Sequence, residues 1–163
     1  MSRLLAIDPG INSTGWAFWE KPTRSLFPDE YGLVQAPLGG TWHDRALSNA
    51  KVIAENLRFG WLGPHLEVFC EFPAFFASSG GVASAATGSV HKLAFQVGVY
   101  AQVFASRGSS FTPVGVNEWK GQLPKDVVCR RVEKILGPRA GREFRADTWD
   151  AVGIGLWVKG VFK

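Results

Sequence analysis

Four side chains of this 163-residue sequence have the type and position to do chemistry together: Asp8, Glu71, Asp147 and Asp150. Asp8 closes the apolar run Leu4-Leu5-Ala6-Ile7, just before Pro9-Gly10. Glu71 closes a second run, Leu66-Glu67-Val68-Phe69-Cys70, just before Phe72-Pro73. Asp147 and Asp150 open the last apolar helical pattern. Carboxylates gathered within a few ångströms oppose one another's ionisation unless a counter-charge joins them. An oxygen-rich, thiol-free set of that kind suits Mg2+ or Mn2+, two ions per site. Such a pair activates water and stabilises the leaving oxygen of an in-line displacement at phosphorus. One carboxylate must then bridge both ions, and Asp8 on a central strand is the natural bridge. Glu71 and Asp150 are expected to hold one ion each, with Asp147 assisting or orienting water.

Plainer readings stand beside this one. The i, i+3 spacing of Asp147 and Asp150 puts both on one helix face, Cβ atoms roughly 5–6 Å apart. Acids in a first turn also favour the helix dipole and cap free N–H groups. Asp8 also suits a turn before Pro-Gly. Glu71 is the hardest to treat as ordinary, because a glutamate ending Val-Phe-Cys needs a partner or a metal.

The elements that must position these acids can be read from the pattern. Arg3–Pro9, Gly15–Glu20 and Tyr31–Ala36 read as strands separated by turn chemistry at 10–14 and a polar, proline-bearing loop at 21–30, an antiparallel meander. Ala46, Ala50, Ile53, Ala54 and Leu57 recur three or four apart, predicting a helix from Trp42 to Phe59 with Thr41 as N-cap and Gly60 as stop. His65–Glu71 is the fourth strand. A helix between meander and fourth strand predicts a right-handed crossover and parallel pairing with the first strand. Asp8 and Glu71 then share the carboxyl ends of neighbouring parallel strands, where open α/β sheets place ligands. After a Ser/Gly/Ala-rich loop from Pro73 to Ser89, a helix to about Ser106 reads apolar around most of its circumference, which suits burial on more than one side, a subunit interface included. Phe111–Val114 is a fifth strand and Asn117–Gly121 a short polar link. Pro124–Leu136 is a helix begun by Pro124 and ended by Gly137-Pro138. Arg139–Arg145 is a basic loop, and Asp147–Val161 is the final helix. The expected fold class is α/β, a five-stranded mixed sheet flanked by helices, in a single domain spanning 1–163.

The charge balance is 18 Lys and Arg against 14 Asp and Glu, a net +4. With four acids gathered in one site the remaining surface is moderately basic, which suits a polyanionic partner, chiefly nucleic acid, and equally a merely basic soluble protein. Cys70 and Cys129 stand outside any zinc-binding spacing, and Cys70 reads as a buried structural thiol. No apolar stretch approaches the roughly 18 residues of a membrane span.

The motifs together resemble the RuvC-type Holliday junction resolvases. Ile7-Asp8-Pro9-Gly10 followed by Thr14-Gly15-Trp16-Ala17 is similar to the opening of that family. Glu71 after an apolar strand matches its second acid, and Asp147-Thr148-Trp149-Asp150-Ala151 its C-terminal Asp-x-x-Asp-Ala motif. Val116 to Leu136, with Trp119-Lys120-Gly121 and then Lys125, resembles its lysine-bearing segment. The likeness spans nearly the whole chain in the family's order. The loop at 73–89 is longer and richer in Gly and Ser than in the bacterial members, and the Lys120–Lys125 spacing is tighter, as in a diverged, for example phage-encoded, member.

The resemblance implies an RNase H-like fold, Mg2+ or Mn2+ as cofactor, and a homodimer that nicks opposing strands of a four-way DNA junction, leaving 5′-phosphate and 3′-hydroxyl ends. In that setting Lys125 is expected near the scissile phosphate, offsetting transition-state charge. Lys120 is expected on backbone phosphate. Phe75 or Phe76 is expected to wedge against an unpaired base at the junction centre, and His91 with Lys92 and Arg142 are further DNA contacts. Each of these residues also suits an ordinary core or surface position. A reducing cytoplasm, of a bacterial or phage-infected cell, fits the two free cysteines and the lack of a signal peptide. Rival readings are a nuclease of the same fold acting on other branched DNA or RNA, a junction-binding protein that does not cut, and an actin-like nucleotide-binding domain.

Overall fold

The structure, a computed structural model, describes residues 2–37, 39–56, 64–73, 88–145 and 147–162. Five strands form one mixed sheet in the order β3-β2-β1-β4-β5: β1 (Arg3–Asp8), β2 (Ser13–Trp19), β3 (Glu30–Gln35), β4 (Leu66–Phe72) and β5 (Ser110–Gly115). β1, β2 and β3 are the antiparallel meander. β4 runs parallel to β1, and β5 parallel to β4. Six helices occur among the described residues: α1 (Trp42–Asn56), α2 (Ser89–Ala105), α3 (Val116–Trp119), α4 (Lys125–Leu136), α5 (Pro138–Glu143) and α6 (Thr148–Val158). No helix among the described residues is long and apolar enough to cross a membrane.

Side-chain alternation along a strand divides the core into two layers. On one face Leu4 and Ala6 of β1, Ala17 and Trp19 of β2 and Phe69 of β4 pack with Val128 and Val132 of α4 and with α6. On the other face Leu5, Ile7, Trp16, Phe18, Leu66, Val68 and Cys70 pack with Ala50 and Ile53 of α1 and Val97, Tyr100 and Phe104 of α2. The central strands are covered on both faces, so they read as continuous apolar runs rather than alternating ones. Pro113 sits in β5 at the sheet's edge, where a missing N–H leaves no ladder bond broken within the sheet.

Helix boundaries follow local chemistry. The Thr41 hydroxyl accepts the Asp44 N–H (3.3 Å) while the Asp44 carboxylate accepts the Thr41 N–H (2.8 Å), a reciprocal cap for α1. Pro124 precedes α4, and Gly137 ends it. The predicted stop at Gly60 lies outside the described residues.

Three local expectations change. The polar link after β5 is a helical turn, α3, because Trp119 is drawn into the core beneath it. The basic loop at 139–145 is mostly helix α5, closed by the Arg139–Glu143 ion pair (2.6 Å) and by Ala140 and Phe144 packing inward. α2 has one fully buried face, Gln96, Val97, Tyr100 and Phe104, and leaves Phe95 42% exposed. Its apolar residues are more numerous than the sheet can cover.

Candidate active site: carboxylates and lysines at the strand ends

Register and alternation bring the first two acids together. Arg3 pairs with Leu66 and Ile7 with Cys70, so one step further Asp8 stands level with Glu71 on the adjacent parallel strand. Asp8 shares its parity with Leu4 and Ala6, and Glu71 with Phe69. Both therefore belong to the face that α6 covers.

The last two acids arrive with α6, whose N-terminus rests on β2. Gly15, directly opposite Asp8 across the β1–β2 pair, makes this possible. A Cβ built on Gly15 would lie 2.1 Å from the Asp147 carbonyl oxygen. Further along, Gly155 accommodates the Trp19 ring and Gly153 the Trp119 ring at distances that leave no room for a methyl group. α6 is seated by three glycine contacts, and the Thr148 hydroxyl donates to the Gly32 carbonyl at 3.3 Å.

Two lysines occupy the space between the carboxylates. Lys120 Nζ lies 3.0 Å from Glu71 Oε2 and 3.3 Å from Asp150 Oδ1; its side chain is only 17% exposed. Lys125 Nζ lies 2.8 Å from Asp147 Oδ1 and 3.4 Å from Asp150 Oδ2, and is half exposed. The indole N–H of Trp119 donates to Glu71 Oε2 at 2.9 Å, and the Ser13 hydroxyl donates to Asp147 Oδ2. These partners decide between the sequence alternatives for Asp147. It stands at the N-cap of α6, yet its side chain caps no helix N–H and is spent on Ser13 and Lys125 instead.

Asp8 has neither arrangement. Among the described residues no hydrogen bond or ion pair reaches its carboxylate. Burial, and then the negative charges of Glu71 and Asp150, push its carboxyl well above the usual range, against the weaker opposing pull of Lys120. Partial burial opposes ionisation of Asp147 too, but the hydrogen bonds from Lys125 and Ser13 outweigh it and hold that carboxyl low. Burial likewise disfavours the charged ammonium groups, but the carboxylates outweigh it and raise both Lys120 and Lys125. The site holds four acids against two cations, an excess of two negative charges when all are ionised, and among the described residues Asp8 is the acid with no cation in direct contact.

Among the described residues no three His, Cys, Asp or Glu side chains close into a ready metal cage. In the metal-free protein the two lysine ammonium groups supply the positive charge beside Glu71, Asp147 and Asp150. The donor set nevertheless fits Mg2+ or Mn2+: hard oxygens only, net negative, with a central carboxylate that is unpaired among the described residues.

A buried polar network holds the turn that follows Asp8, and nothing in the sequence pattern announced it. Gln96 Nε2 donates to the Gly10 carbonyl (3.1 Å), and the Tyr100 hydroxyl and Thr14 Oγ1 lie 2.7 and 3.2 Å away. Asn49 Nδ2 reaches the Gly10 carbonyl from α1 at 3.2 Å. Helical spacing of Gln96 and Tyr100 was the only available signal, since polar residues on an apolar helix face are ordinarily bound to one another.

Beyond the turn opens a cleft of about 520 Å3, lined by Asp8, Asp147, Trp42, Arg45 and Lys92 among others. His91 is exposed beside Lys92 in the first turn of α2. Arg142 is exposed on α5 and contacts none of the four carboxylates. Phe75 and Phe76 lie outside the described residues.

Neither family sequence models nor curated proteins give a match to this sequence. Solved structures do. The chain is similar to the RuvC structure of Thermus thermophilus, with a TM-score of 0.65 and 19% identity, covering 99% of this chain and 98% of that one. It is equally similar to T. thermophilus RuvC in complex with a Holliday junction substrate, with a TM-score of 0.66, 20% identity and coverage of 100% and 99%. By similarity over the whole chain, this five-stranded mixed sheet flanked by helices has a RuvC-like, RNase H-like fold.

Proposed function

We propose that the chain is a single-domain, metal-dependent endonuclease that resolves four-way DNA junctions as a homodimer inside the cell. The observation that carries this reading is the convergence of Asp8, Glu71, Asp147 and Asp150 around two lysines, with the Asp8 carboxylate left without a partner among the described residues. It is supported by the likeness to a structure bound to a Holliday junction and by the basic balance of the chain.

The four carboxylates would hold Mg2+ or Mn2+, which when bound supplies activation of water and charge stabilisation at the phosphorus under attack. The protein's own groups do the rest. Ser13 and Trp119 fix the orientation of Asp147 and Glu71. Lys120 and Lys125 hold the carboxylates apart from one another's charge before DNA arrives. Lys125, the more exposed of the two, is free to turn from Asp147 toward a phosphate and offset charge that develops there. Lys92, with His91 beside it in sequence, lines the cleft and would meet the strand's backbone, and Arg142 offers a further phosphate contact. Two symmetric nicks need two such sites, which a two-fold dimer supplies.

Incubation of the protein with a synthetic mobile four-way junction, in Mg2+ and in Mn2+, tests the proposal beside a flap, a linear duplex and an RNA–DNA hybrid. Paired nicks in the junction bearing 5′-phosphates, lost in Asp8→Asn, are expected. Preferential cutting of another substrate would move the assignment to a different nuclease of this fold. Binding to the junction without cutting in either metal would make the chain a junction-binding protein.

A further inference from the structure

α1 and α2 each carry a cation and an aromatic ring three residues apart, Trp42 with Arg45 and Lys92 with Phe95. This spacing places each pair on one helix face. The two faces meet: the Trp42 and Phe95 rings pack edge to face at 5.3 Å. His43 stacks on Trp42 at 3.5 Å and touches Phe95 edge-on at 5.6 Å. The rings are not closed into the core; Phe95 is 42% exposed and His43 is exposed.

Trp42, Arg45 and Lys92 line the same cleft as Asp8 and Asp147. Among the described residues neither Arg45 nor Lys92 joins an ion pair. Among the described residues the buried Arg45 Nε has no hydrogen-bond partner, an unusual state for a guanidinium N–H. An anion in the cleft supplies the counter-charge that the Arg45 guanidinium and the Lys92 ammonium lack among the described residues, and a flat π-system beside it matches the ring cluster. A nucleotide carries both, phosphate and base; an acidic peptide supplies only the first.

We infer that Trp42, buttressed by Phe95 and His43, is a stacking platform for an unpaired base of the bound DNA, and that Arg45 and Lys92 grip the backbone phosphates leading from that base toward the carboxylates. The assignment rests on the proposed action on branched DNA and adds a base-holding subsite formed by residues of α1 and α2. Stacking on an aromatic side chain is tolerant of sequence, so the platform would select for an unpaired base rather than for its identity.

The test is binding of four-way junctions to the full chain in EDTA, comparing an intact junction with junctions carrying one abasic site at each position flanking the branch. For wild type, an abasic site at one position is expected to weaken binding about ten-fold, within the range of a single base–aromatic stack. Trp42→Ala should bind the intact junction as weakly as the abasic one, and Trp42→Phe should keep most of the difference. Arg45→Gln should weaken both junctions alike and lower the salt dependence of binding by about one phosphate contact. Equal abasic sensitivity in wild type and Trp42→Ala, or none at any position in wild type, would overturn the platform. If wild type also cuts the intact junction, the nuclease reading survives that result; failure of wild type to bind any junction removes both.

Discussion

Gly15 lies directly beneath the backbone of Asp147, so close that a methyl group there would stand 2.1 Å from the Asp147 carbonyl oxygen. The same glycine faces Asp8 across the β1–β2 pair. The contact sets how near α6 comes to the strand ends, and so joins Asp147 and Asp150 to Asp8 and Glu71. Gly15→Ala must push α6 away. A loss of about 1–3 kcal/mol or more is expected from the overpacking, together with loss of nicking. Gly155→Ala strains the Trp19 contact instead and should destabilise comparably, yet keep much more activity when assayed well below its melting temperature. Thermal melts paired with nicking rates check the contrast.

The ionised Asp8 carboxylate burdens the metal-free protein. Its folded-state pKa is raised by burial and by Glu71 and Asp150, so between the ordinary aspartate value of about 3.9 and the raised one the native state binds more protons than the unfolded state. Stability therefore falls as pH rises through that window. Asp8→Asn should melt at a higher temperature than wild type in EDTA near neutral pH, and the gap should close as pH falls toward the ordinary aspartate range. Adding Mg2+ should raise the wild-type melting temperature more than that of Asp8→Asn. Calorimetry across pH, with and without metal, measures both effects.

The two lysines are expected to differ. Lys120 is largely enclosed between Glu71 and Asp150, and removing one partner of a buried ion cluster leaves uncompensated charge, with a cost of about 3 kcal/mol. Lys120→Gln should be markedly less stable in EDTA and recover part of that loss in Mg2+. Lys125 is half exposed, so Lys125→Gln should change stability by less than about 1 kcal/mol. Its nicking rate should fall about a hundred-fold, with a smaller change in junction affinity. Denaturation curves and single-turnover nicking separate the two.

Trp119 orients Glu71 through its indole N–H while its ring packs against Gly153 and Phe162. Trp119→Phe keeps an aromatic ring in the core and removes the donor. Stability should drop by about 1 kcal/mol, whereas the Mg2+ concentration for half-maximal nicking should rise about ten-fold. A metal titration of the nicking rate is the measurement.

The meander and the parallel pairing of β4 with β1 were legible in the sequence because the central strands are buried on both faces and so appear as unbroken apolar runs, whereas the place of β5 beside β4 was not. The helix between Ala36 and Leu66 already demanded a parallel crossover, and with it the pairing that levels Asp8 with Glu71. The pairing of Asp147 and Asp150 on one helix was legible for the same kind of reason, a local period of 3.6. Other features depended on contacts between residues far apart in the chain. The helical state of 138–143 depends on Phe144 and Ala140 meeting the core. The grip of Gln96 and Asn49 on the Gly10 carbonyl joins three elements. The lysine positions depend on α3 being pulled inward by Trp119. Sequence spacing reports which side chains share an element and a face. How closely two elements approach is set by what lies between them, and here the missing side chains at Gly15, Gly153 and Gly155 decide it.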